Sequence, residues 1–66
     1  MKETRKVDDI FSVGYDENTE KYCVLKKGKP IVNGTVGFFD KEESVINNLI
    51  INRRLFEHIE PGILER

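Results

Sequence analysis

Few residues in this chain could do covalent or metal chemistry. There is one cysteine and one histidine among 66 residues. Cys23 stands in the run Tyr22-Cys23-Val24-Leu25, with no neighbour in sequence that would lower its pKa, so it reads as a small buried hydrophobe. A lone cysteine makes no internal disulfide, which fits a reducing compartment. His58 lies far along the chain from Cys23, and one nitrogen with one sulfur does not complete a zinc site. Ser12 and Ser44 sit in no nucleophile motif, and no glycine loop opens a helix as phosphate binding requires. Asp8, Asp9, Asp16, Glu17 and Glu20 read as surface acids. The expectation is a non-enzyme with no catalytic residues, no cofactor and no metal.

The remaining polar side chains suit binding. The balance of 11 basic and 12 acidic residues, net −1, does not suggest a general nucleic-acid or membrane-surface binder. Distribution says more than the total. Lys21, Lys26, Lys27 and Lys29 are the only charged residues from Lys21 to Phe39. They form a basic hairpin that could face phosphate, or simply guard a sheet edge against aggregation. No apolar run is long enough to span a bilayer, and there is no signal-peptide core, so the protein is expected in the cytoplasm.

The elements that must present these side chains follow from periodicity. Asp40 to Ile59, DKEESVINNLIINRRLFEHI, is the one stretch that reads clearly as a helix. Asp40 is placed as N-cap with Glu43 completing a capping box, and Pro61-Gly62 supplies the stop. At about 100° per residue, Val45, Leu49, Phe56 and Ile59 share a stripe, flanked by Ile46 and Leu55. Asn52 falls in the middle of that stripe, and Ile51 points nearly the opposite way. Two readings stay open: a kink near Asn52, or a helix with a second apolar face for a partner. On the second reading Ile50, Ile51, Arg54 and Leu55 bind the partner, with Tyr15 and Tyr22 adding aromatic contact from the sheet.

Ahead of the helix the pattern turns to strands. Ile10 to Tyr15 alternates, Lys21 to Lys26 is apolar on both faces as a central strand would be, and Ile31 to Phe39 is a third extended stretch. Asn33-Gly34 is either a hairpin turn, giving four strands, or a bulge in one bent strand, giving three; three is the expectation. The predicted fold is α+β, a three-stranded antiparallel sheet covered on one face by one C-terminal amphipathic helix. The chain is read as a single domain, 1–66: flexible arm 1–6, sheet 10–39, helix 40–59, tail 60–66. Phe11, Val13, Val24, Val36, Phe38, Val45, Leu49 and Phe56 should supply much of the core. A domain of this size buries only ~60% of the surface its unfolded chain exposes, so a partner subunit would help.

Lys21-Tyr22, Gly28-Lys29, Gly37-Phe38-Phe39 and Asp40-Lys41-Glu42-Glu43 together resemble the small DNA-binding domains of the AP2 and integrase N-terminal type. The likeness covers about half the chain and implies a three-stranded sheet on one helix. That family reads DNA with arginines and aromatics on its sheet, whereas no arginine occurs here between Arg5 and Arg53. The resemblance is therefore one of architecture.

The first expectation is a small regulator or inhibitor that binds another protein through its helix face and sheet edge. Short charge-balanced proteins of this kind are common in phage and plasmid genomes. A nucleic-acid-binding module using the lysine hairpin comes second, and a structural homodimer third.

Overall fold

The structure is a computed structural model that describes residues 1–32 and 37–60 together with the backbone of 62–63. Strands β2 (Phe11–Asp16) and β3 (Lys21–Lys26) pair antiparallel, from Phe11 opposite Lys26 to Asp16 opposite Lys21. Alternation puts Phe11, Val13 and Tyr15 beside Tyr22, Val24 and Lys26 on one face. Strand β4 (Lys29–Val32) returns along β3 after Lys27-Gly28, whose φ angles are 52° and 81°. Positive φ at both central residues marks a type I′ hairpin, with Lys27 where asparagine or glycine usually sits.

Two strand expectations need correction. Lys2–Lys6, read as a flexible arm, is strand β1, antiparallel to β2 with Lys2 opposite Tyr15 and Lys6 opposite Ser12. All its side chains are exposed, so it has no apolar alternation to reveal it. The backbone ladder to β2 holds it, and Thr4 Oγ1 donates to Glu42 Oε2 at 2.8 Å. The antiparallel sheet thus has four strands rather than three, in the order β1-β2-β3-β4. A two-residue strand β5 (Gly62–Ile63) adds in parallel beside β4.

The stretch Ile31 to Phe39 is not one strand. β4 ends at Val32, and Phe39 comes back to pair with Tyr22 through backbone bonds of 2.7 and 2.8 Å. An uninterrupted ladder would have reached Tyr22 six residues earlier. The choice between turn and bulge at Asn33-Gly34 lies outside the described residues, as does Val36.

The single helix is also corrected: α1 (Glu42–Ile51) and α2 (Arg53–His58) meet at Asn52, with φ −115° and ψ 31°. The hydrogen-bond ladder runs through the kink. Asn52 N donates to Asn48 O at 2.9 Å, and Phe56 N donates to Asn52 O at 3.1 Å. The cause is the amide on the core stripe, which stays half-buried and donates from Nδ2 to Asn48 Oδ1 at 3.1 Å. The start differs too. Lys41, not Asp40, is the N-cap residue, and no side chain caps the first turn. The Asp40 carboxylate is taken by Lys21 Nζ instead.

Phe11, Val13, Val24, Ile31, Val45, Leu49 and Phe56 form one buried cluster between the sheet and the helices. Phe38 is only half-buried, while Phe39 packs against the cluster in its place. Cys23 and Leu25 are buried as well, on the sheet face away from the helices, where Cys23 Sγ lies 3.0 Å from Met1 Sδ.

Candidate functional site

With Val45, Leu49 and Phe56 turned to the sheet, helical spacing leaves Asn47, Ile50, Ile51, Arg54, Leu55 and His58 on the outward face. Ile50 is 71% exposed, Ile51 78% and Leu55 48%. Arg54 and His58 are exposed beside them. The helix breaks at Asn52, as the first of the two readings had it, and Ile51 is exposed all the same. Beyond Asn52, Phe56 packs against Phe11, while Ile50 and Ile51 stay exposed.

The inward charges are engaged within the fold. Arg53 Nη1 donates to Asp8 Oδ2 at 2.6 Å, its Nε donates to Glu57 Oε2 at 3.2 Å, and the guanidinium stands 5.3 Å from the Phe11 ring centroid. Asp8 Oδ1 accepts the amides of Ile10 and Phe11 at 2.7 and 2.8 Å, an Asx turn that leads β1 into β2. The Phe11 amide and then Arg53 hold the Asp8 carboxyl down at about 2, from an ordinary 3.8. Sequence reasoning missed this clamp, although an Asp in a turn commonly bonds the backbone two residues on.

A depressed carboxyl stabilises the fold above its unfolded pKa and ceases to do so as pH falls through its folded value. The window here runs from about pH 4 down to about 2. Asp8→Asn keeps an acceptor for the two amides but loses the ion pair. It should cost about 1 kcal/mol at neutral pH, screened because Arg53 is 46% exposed. Thermal melts of the two proteins should converge toward pH 2; a gap unchanged from pH 7 to pH 2 would contradict the clamp.

Of the four lysines of the proposed basic hairpin, Lys26 and Lys29 stand opposite each other across β3 and β4 with Lys27 in the turn between them, while Lys21 lies at the far end of β3. Lys21 pairs with Asp40. Lys26 shares the helix-side face with Val24, and its Nζ donates to the carbonyls of Glu57 and Ile59 at 2.7 and 3.2 Å, capping the C-terminal end of α2. Alternation along β3 was the signal for that role. Lys27 and Lys29 stay exposed at the turn, but Lys27 N donates to Ile10 O at 2.7 Å, which sets the turn against the Asp8-Asp9 loop. Charge at that end is mixed. The sheet face away from the helices carries Ser12, Gly14, Cys23 and Leu25, all buried, where the DNA-binding resemblance implied arginines and aromatics.

Tyr15 and Tyr22 pack with centroids 5.2 Å apart and ring planes tilted by 56°, on the sheet's helix side. Partial burial, and then the charge of Glu20, push the Tyr15 phenol above its ordinary pKa. Tyr22 packs against the core under the helices, so this pair is not continuous with the outward face of Ile50, Ile51 and Leu55. Cys23 is buried, and its thiol is pushed up to about 11 by burial, the opposite of nucleophile activation. Among the described residues no three His, Cys, Asp or Glu side chains gather as metal ligands. No helix among them is long and apolar enough to cross a membrane. No family model, curated protein or solved structure matches the chain.

Proposed function

We propose that this protein is a small non-enzymatic regulator that works by binding a protein partner through the outward face of α1 and α2. The observation that carries the reading is the pair Ile50 and Ile51, adjacent and more than two-thirds exposed on a helix whose other side already fills the core. Leu55 extends the patch by one helical turn, and Arg54 and His58 supply a polar rim. Scattered exposed isoleucines mean little alone, but three large apolar side chains on one face concentrate binding energy. The sheet edge contributes less. β1 is short, irregular between Glu3 and Arg5, and lined with Lys2, Arg5 and Lys6, which discourages an added strand.

Ile51→Asp should leave melting almost unchanged, within about 0.5 kcal/mol, because the side chain touches little of the fold. A photo-crosslinking amino acid at position 51 should give adducts of discrete mass in the expressing cell. The same group at Glu17, on the turn between β2 and β3, should give none. Absence of adducts from position 51, or unfolding by Ile51→Asp, would remove this reading.

A further inference from the structure

The outward face carries a polar pattern that is complementary to itself. Glu43 stands near its N-terminal end and His58 at its C-terminal end, with Arg54 between His58 and the isoleucines. Among the described residues none of these three takes part in an ion pair, whereas Glu42 is held by Thr4 and Arg5, and Arg53 by Asp8 and Glu57. The charges turned toward the sheet are satisfied internally, and those turned outward are left for whatever covers the face.

Resting on the reading just proposed, we infer that the partner this face fits is a second copy of the chain, packed with its helices antiparallel about a two-fold axis beside Ile50 and Ile51. A closed two-fold contact needs a self-complementary patch. With Ile50 of one copy opposite Ile51 of the other, each Glu43 lies across from a His58 imidazole, and each Arg54 across from the amide of Asn47. Both pairs stand at equal distances from the axis, ~11 Å and ~5 Å along helices that rise 1.5 Å per residue. The macrodipoles oppose, which also favours this direction over a parallel one. A single helix face per copy makes an interface below the standard size, so the dimer should be weak, with a Kd of order micromolar.

Sedimentation equilibrium from about 0.1 μM to about 100 μM should show a monomer–dimer equilibrium, with Ile51→Asp shifting Kd at least about tenfold. Two charge variants test the geometry. Glu43→Lys alone and His58→Glu alone should each weaken self-association, since each homodimer then sets like or unmatched groups together. Mixed, they should form a heterodimer about threefold to tenfold tighter than either homodimer. In the mixed pair the introduced lysine of one copy faces the introduced glutamate of the other, and the native Glu43 and His58 that remain face each other. Far-UV melts of each single variant as a dilute monomer confirm that both fold. A monomer throughout the concentration range overturns the inference, and so does a dimer with no preference for the mixed pair. If the crosslinks from position 51 then persist at masses other than twice the chain, the docking face stands and only its occupant was misassigned.

Discussion

Phe56→Ala should cost about 3–5 kcal/mol and leave the protein largely unfolded at room temperature. Phe56 is fully buried, and its ring meets Phe11 edge-on at 6.4 Å between centroids, with the planes 69° apart. On its other side Phe11 carries the Arg53 guanidinium. Removing the Phe56 ring opens a cavity where the second helix is pinned to the sheet, and it removes the edge-on contact with Phe11. A domain of this length has a total stability of roughly 3–10 kcal/mol, so the loss is comparable with the whole. Urea titration followed by far-UV circular dichroism should show the transition gone or its midpoint moved close to zero denaturant. Leu55→Ala, one residue away but on the outward face, should change stability by less than about 0.5 kcal/mol. Similar losses in the two variants would mean that the helix is turned the other way on the sheet.

Much of that facing could be read before any coordinates. Val45, Leu49 and Phe56 declared the inner stripe by spacing alone, and Phe11, Val13 and Val24 declared the matching sheet face. The exposure of Ile51 followed from the same geometry. What escaped is instructive. β1 has the sequence Lys-Glu-Thr-Arg-Lys, whose side chains bury nothing, so a pattern of burial could not reveal a strand held by backbone bonds. The capping box at Asp40 fails because the carboxylate finds Lys21, a partner distant in sequence. Lys26 reads as one of a phosphate-binding group, but its place on the inner face of β3 gives it the carbonyls at the end of α2. In the last two cases a long-range contact overrides a sound local signal: Lys21 is committed to Asp40, and Lys26 to the end of α2.

Gly14→Val should destabilise the fold by about 1–3 kcal/mol, and the reason is space rather than backbone conformation. Gly14 sits in the middle of β2 between Glu3 of β1 and Cys23 of β3, where a β-branched residue would ordinarily be welcome. It lies on the face away from the helices, under the side chain of Leu25. A Cβ there would come within 2.9 Å of Leu25 Cγ and 3.0 Å of both its terminal carbons. Leu25 is itself only 3% exposed, so it has little room to move aside. The glycine therefore lets the Leu25 side chain fold down over β2. A double-mutant cycle isolates that contact. In a Leu25→Ala background the same valine should be neutral or stabilising, since it refills the space that leucine has vacated and gains the strand preference of a branched side chain. Equal costs for Gly14→Val with and without Leu25 would show that the strand requires glycine for a reason other than the packing of Leu25 over it.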